Sequence, residues 1–229
     1  MPNNYAIVDQ RVSITLSSQL RGVEEWGEGG SLCLYGKQMT SIPIFPLNTV
    51  LYPGGLLPLR IFEQRYLEMT RDCLRDTTPF GVCRIREGTE VGTPALPESV
   101  GCTAVIAEWE MPHLGVFHLK AKGERRFRIR NRDVQPGGLI RAEIEMLEEV
   151  SGNVNDDAME LCRRVLEQIV SRLGTTYFFA PLAYDDPRWV SFRLAEVLPL
   201  ALDDKQALLE THSDHERLMR LYGLLKTSA

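Results

Sequence analysis

Apolar residues recur along this chain with two different periods, and the change between them falls near residue 150. Before it the pattern is that of strands. Residues 42–47 and 56–59 are short apolar runs on either side of the turn Pro53-Gly54-Gly55, so the backbone path there is tightly dictated. Phe62, Tyr66, Met69 and Cys73 lie near helical spacing and predict one helix over about residues 63–74. Further strands are predicted over residues 79–85, 102–111, 116–129 and 139–147. Met111-Pro112-His113-Leu114-Gly115 supplies a hairpin turn, and Pro136-Gly137-Gly138 punctuates another over residues 133–138. Several strands at short intervals around one inserted helix predict a small, partly closed barrel.

After Asn153 the period is helical. Met159, Cys162, Leu166, Ile169, Val170 and Leu173 mark one apolar face, and Gly174 is placed to stop that helix. Asp186 and Pro187 predict the N-cap and first turn of a second helix that ends before Pro199. A third is predicted from Asp203. A fourth follows the capping box Ser213-Asp-His-Glu216, ahead of Leu218, Leu221, Leu224 and Leu225. The chain therefore divides, as an expectation, into an extension (residues 1–38), a strand-rich unit (39–150) and a helical unit (151–229). In the extension two short strand-like runs, residues 6–8 and 12–16, are followed by Gly27, Gly29, Gly30 and Gly36, and Met39 stands directly before the first strong motif. Met39 is the expected true start, with the residues before it loosely held or upstream of the native chain.

Composition narrows the function classes. The 229 residues carry a net charge of −5, which gives no global attraction to nucleic acid or anionic membranes. No window approaches the roughly 18 apolar residues of a membrane span, and the N-terminus lacks the basic-then-apolar pattern of a secretory signal. The five cysteines are odd in number and form no C-x-x-C, so the expected home is a reducing cytoplasm without disulfides or a thiolate metal site.

Ile42 to Tyr66, Gly101-Cys-Thr, Gly123-Glu-Arg-Arg-Phe-Arg-Ile129, Leu194-Ala-Glu-Val-Leu-Pro-Leu200 and Lys205-Gln-Ala-Leu-Leu-Glu210 together resemble the Lon N-terminal domain family. The likeness covers roughly residues 40–226 and, within these 229 residues, comes without the ATPase and protease modules. It implies an α+β fold, a PUA-like partly closed β-barrel followed by a C-terminal helical bundle. It also implies capture of unfolded or exposed polypeptide segments, a protease partner, and a homodimer that rests on the family alone. The nearest match to a phosphate loop is Gly36-Lys37, followed by Gln38 and preceded by Ser31 in place of the first glycine. Both that glycine and the magnesium-binding hydroxyl are missing. No serine sits in a setting like the Lon nucleophile, and no cofactor is implied.

Several constellations carry competing readings. Arg126, Arg128, Arg130 and Arg132 alternate with Phe127 and Ile129, which on a strand places all four guanidiniums on one face. That face could serve RNA or an acidic partner. Arg141, Glu143 and Glu145 alternate on the next strand, so cross-strand pairing of the glutamates with the arginines is the favoured reading. His212 and His215 flank Asp214 without the further ligands of a metal site, and they are expected to be solvated cap residues. His113 and His118 have no Ser or Cys partner.

Candidate polypeptide contacts are Tyr52, Leu56 and Leu57 around the Pro-Gly turn and Trp109, Met111 and Phe117 around the hairpin tip. Exposed aromatic and Met side chains offer adaptable apolar contact, although core positions are the more frequent fate of such residues. Arg60 and Tyr66 could be interfacial, with a helix-start ion pair among Arg60, Glu63 and Arg65 as the structural alternative. The Leu198-Pro199-Leu200 corner and Lys205-Gln206 are read as structural. The residues thus predict a non-catalytic polypeptide-binding module. An RNA-binding module and a hydrolase with an unrecognised site are the rivals.

Overall fold

A computed structural model describes residues 40–227; the expected extension over residues 1–38, its two strand-like runs and the expected start at Met39 lie outside the described residues. Strands β1 (Thr40–Leu47) and β2 (Leu56–Ile61) form on the two apolar runs, and helix α1 (Gln64–Asp76) follows. Strands β3 (Phe80–Glu87), β4 (Leu96–Pro97), β5 (Val100–His113), β6 (Val116–Val134) and β7 (Ile140–Met146) come next. Helices α2 (Asp156–Leu173), α3 (Pro187–Val197), α4 (Leu202–Glu210) and α5 (Asp214–Thr227) follow, with a 3-10 turn at Thr175–Tyr177. The class is α+β.

The strands run β1-β7-β6-β5-β3-β4, and β1 also pairs parallel with β3 through Ile44 and Gly81. That extra pairing closes β1, β7, β6, β5 and β3 into a ring, while β2 lies on β6 alone at residues 117–122. The ring strands contribute to two apolar faces. One face carries Phe45, Leu47, Phe80, Val82, Cys102 and Ala104; it continues through β2 and the first half of β6 and packs with Tyr66, Leu67, Met69 and Cys73 of α1. Full burial of a side chain such as Leu67 or Met69 stabilises by about 1.5–3 kcal/mol. The other face carries Ile42, Ile44, Cys83, Phe127, Ile140, Ala142 and Ile144.

Space on that second face is tight, and two glycines create it. Gly101 is the cross-strand partner of Phe127. A methyl group on Gly101 would lie 2.4 Å from the Val82 carbonyl oxygen, 2.5 Å from Cys83 Sγ and 2.9 Å from the Phe127 ring. One on Gly81 would lie 2.7 Å from both Phe127 and Ile44. The phenyl ring occupies the volume that two side chains would otherwise fill.

The helices end where their local chemistry directs. The Asn155 side chain accepts from Ala158 N–H at 2.9 Å, and α2 then buries Ala158, Cys162, Leu166 and Val170 at intervals of four. Gly174 stops it at φ 91°, a conformation that favours glycine. Asp186 accepts from Arg188 N–H at 2.9 Å, and Ser213 Oγ accepts from Glu216 N–H at 3.2 Å. The inward faces of α2 to α5 share a third core with Val50, Tyr52 and Val100 from the strand-rich half.

Gly101→Ala is expected to lower stability by about 3 kcal/mol, at the upper end of overpacking costs because backbone cannot yield as a side chain can. Gly137→Ala, where an added methyl meets nothing within 4 Å, should stay within about 0.5 kcal/mol of the parent. Urea unfolding of the two variants checks the contrast.

Candidate functional site

The seam between the ring and the helices is polar for a buried surface. Three arginines are buried there, Arg126, Arg193 and Arg217. Arg126 projects from β6, pairs with Glu149, and donates to the carbonyls of Leu209 at 2.7 Å and Thr211 at 2.6 Å. Those carbonyls close the C-terminal end of α4, where a cation is favoured. Arg193 from α3 donates to Pro53 O at 2.8 Å and pairs with Glu196 at 2.8 Å. Arg217 from α5 donates to Leu208 O and Ser191 Oγ, contacts Glu149 at 3.3 Å, and lies 3.7 Å over the Phe192 ring. Tyr52 and Gln206 add neutral bonds across the seam, to Lys205 O at 2.8 Å and Val100 O at 3.1 Å.

The Pro-Gly turn is part of this seam. Gly54 donates to Gly123 O at 2.7 Å, Gly123 donates to Gly55 O at 2.9 Å, and Gly55 donates to Tyr52 O at 2.9 Å. A methyl on Gly123 would stand 2.2 Å from the Tyr52 carbonyl oxygen. So the turn is held flush against β6, with Tyr52 directed inward onto Phe192. This corrects the expectation for four candidate contacts. Tyr52, Leu57, Tyr66 and Phe117 are buried, because each lies on a covered face, and none is available to a partner from solution. Leu56 is half-buried and Arg60 exposed, opposite Lys122 and His118 on β6. The helix-start pair forms between Arg65 and Glu63 at 2.9 Å, and Arg65 also lies over Tyr66.

The apolar candidates that stand exposed are on the β5–β6 hairpin. Its two arms pair as far as His113 and Val116, leaving Leu114 and Gly115 as the loop, with Gly115 at φ 84°. Residues 107–114 are all exposed. Trp109 is 54% exposed, Met111 41% and Leu114 98%. By register Trp109 sits opposite Leu119, which in turn faces Leu59. The indole therefore continues the buried face of the sheet out into solvent, with its edge against buried Phe117 at 5.7 Å between ring centres. On the reverse side Glu108 pairs with Lys120 at 2.6 Å and Glu110 with His118 at 3.3 Å, which stiffens the arms. Leu114 was not among the predicted contacts; its position between His113 and Gly115, at the apex of a two-residue loop, is the sequence signal for it.

The arginine row does not form one face. Arg126 faces the helices because both faces of β6 are covered at residues 126–127, Phe127 by the ring interior and Arg126 by the bundle. A register shift between Ile129 and Asn131 then breaks the alternation. Within the row Arg130 pairs across the strands with Glu145, whereas Glu143 accepts from Asn131 at 2.9 Å.

Among the described residues no thiol is shifted toward the thiolate. Burial pushes the Cys162 thiol up to about 12, drives Cys83 and Cys102 strongly upward, and raises Cys73 too. Burial likewise raises Tyr66 to about 12 and Tyr52 further. It pushes the Lys205 ammonium down, opposed by Glu196, whose backbone carbonyl accepts from Lys205 Nζ at 2.7 Å. His215 and His212 do not converge on a ligand set: among the described residues no three His, Cys, Asp or Glu side chains are placed to hold a metal ion. Asp214 instead accepts from Gly152 N–H at 2.9 Å and His215 N–H at 2.6 Å. Among the described residues no helix is long and apolar enough to cross a membrane.

Comparison with known proteins places this geometry. The profile of the ATP-dependent protease La (LON) substrate-binding domain matches residues 41–227. Lon protease 2 of Myxococcus xanthus is 28% identical over 193 residues, which span 80% of this chain and 23% of that protein. Lon protease of Anaeromyxobacter dehalogenans is 27% identical over the same fractions. The chain thus corresponds to under a quarter of the length of these relatives. The crystal structure of a Lon N-terminal domain protein from Xanthomonas campestris superposes with a TM-score of 0.67 at 34% identity, covering 81% of this chain and 98% of that one. The N-terminal domain of Mycobacterium avium complex Lon protease shares the fold with a TM-score of 0.59 at 19% identity, over 80% of this chain and 96% of that one.

The thiols give a direct check on the chemistry. In a Cys33→Ser variant, Cys73, Cys83, Cys102 and Cys162 are expected to react with an aromatic disulfide reagent at least about 100-fold more slowly when folded than in urea. Because burial raises these pKa values, their contribution to stability is complete below the ordinary thiol range near about 8.5 and is lost as pH rises toward about 12. A native thiol that reacts rapidly at neutral pH would contradict the assignment.

Proposed function

The chain belongs to the LON substrate-binding domain family, and from that premise we propose that it is a polypeptide-recognition module without catalytic chemistry of its own. The ring of strands is read as the PUA-like, partly closed barrel of residues 39–150, and residues 151–229 as a helical unit that stiffens it. The observation that carries the reading is the hairpin: Trp109, Met111 and Leu114 stand exposed on two paired strands, in continuity with the core. A rigid apolar projection meets an exposed chain segment at small entropic cost on its own side. Aromatic and Met side chains adapt to varied sequences better than a shaped pocket does. Among the described residues the four buried thiols are held protonated by burial, which removes them as nucleophiles at neutral pH. Delivery of the bound chain to a protease, and homodimerisation, extend the proposal by family membership.

Replacing Trp109, Met111 and Leu114 together with Ser is expected to weaken binding to a permanently unfolded protein, such as reduced carboxymethylated α-lactalbumin, by about tenfold or more. The melting temperature should be nearly unchanged, since the three side chains are surface positions. Unaltered affinity in fluorescence anisotropy would reject the hairpin as the contact.

A further inference from the structure

At the opposite end of β6 lies a second surface with different chemistry. β5 stops flanking β6 at Arg128, and the last bond on that side runs from Ile129 N–H to Ser99 O at 2.8 Å. From Asn131 to Val134, β6 pairs with β7 alone, while β4 pairs only with β3. The strand therefore presents an open edge over residues 130–134. Alongside this edge is a cleft of about 180 Å³, lined by Arg86, Glu98, Ser99, Arg130, Asn131 and Arg132 and floored by Ile129 and Pro97.

The cleft is cationic in a chain that is acidic overall: three guanidiniums face one carboxylate. Arg132 makes no ion pair among the described residues, and Arg86 reaches only Glu87, at 3.6 Å with both side chains largely exposed. Arg130 is shared with Glu145. Unpaired main-chain groups on a strand edge accept an added strand, and alternate side-chain positions then decide which sequence fits. We propose that this cleft binds an extended acidic polypeptide segment, laid along the open edge of β6 as an added strand with its carboxylates on Arg86 and Arg132. The inference rests on the polypeptide-recognition reading and adds an electrostatic subsite to the apolar hairpin. Such a subsite selects chains that combine an exposed apolar stretch with acidic flanks.

Labelled peptides of alternating Glu and Val, titrated into the full chain at low ionic strength, should bind saturably, and alternating Lys and Val should not. Arg86→Glu with Arg132→Glu is expected to weaken the acidic peptide by about tenfold or more. Capture of carboxymethylated lactalbumin through the hairpin should fall far less, whereas the hairpin substitutions should spare the acidic peptide, so the two readings fail separately. Hydrogen exchange of the unsubstituted chain should show new protection of amides within residues 130–134 when the peptide is bound. Absence of peptide binding, equal binding of the basic peptide, an unchanged affinity in the charge-reversed chain, or no added protection at that edge would overturn the proposal. Preferential displacement of the peptide by single-stranded RNA would do so too, by assigning the cleft to nucleic acid.

Discussion

The joining of strands to helices depends on guanidinium groups buried where the two meet. An arginine taken out of water is costly unless every N–H finds a partner, and the desolvation penalty approaches or exceeds the Coulombic gain. Arg126 is satisfied by one carboxylate and the terminal carbonyls of α4, which no other element could offer in that position. Arg217 shares the same carboxylate, Glu149, from the helical side. Such a seam is weak evidence of net stability, while removal of one partner strands the others at high cost. Arg126 and Arg217 both reach Glu149 and the α4 carbonyls only in this placement of bundle on ring, whereas Arg193 bonds Pro53 through one nitrogen and leaves its Nε without a hydrogen-bond partner among the described residues.

That fixed placement explains why so much apolar sequence is unavailable for binding. Tyr52 and Leu57, which look like a surface cluster beside a Pro-Gly turn, are committed inward once Gly123 lets the turn lie against β6. Tyr66 is committed by α1 to Phe45, with ring centres 4.1 Å apart. The hairpin escapes because β5 and β6 outrun the other strands: β3 leaves β5 at Ala104, and β2 covers β6 only from Phe117 onward. Exposure of Trp109 is a consequence of strand length.

Much of this was legible from residues alone where a local rule acts. Gly174, Asp186 and Ser213 end or begin helices where their backbone freedom or side-chain oxygens direct, and the hairpin loop at Gly115 lies where the turn residues put it. The two-residue β4 was not legible, since two residues have no period. The arginine row failed for a physical reason. A strand with alternating Arg and apolar positions reads as half-solvated, yet at residues 126–127 it is covered on both sides, which periodicity cannot express. The bulge at Arg130 finished the error. Three of the family-like motifs meet in the seam, which no single one revealed: Tyr52 meets Lys205 and Arg126 meets Leu209, while Arg193 and Val100, each one residue outside a motif, meet Pro53 and Gln206. Segments far apart in sequence thus close one seam.

Native-state hydrogen exchange of Arg126→Met measures that closure most directly. The account predicts that amides of α4 and α5 lose about 3–5 kcal/mol of protection, the usual consequence of stranding a buried partner. Ring amides in β1, β3 and β7 should lose less, since their own cores are intact. Protection that is unchanged in the helices, or that falls equally everywhere, would contradict a seam held by this arginine.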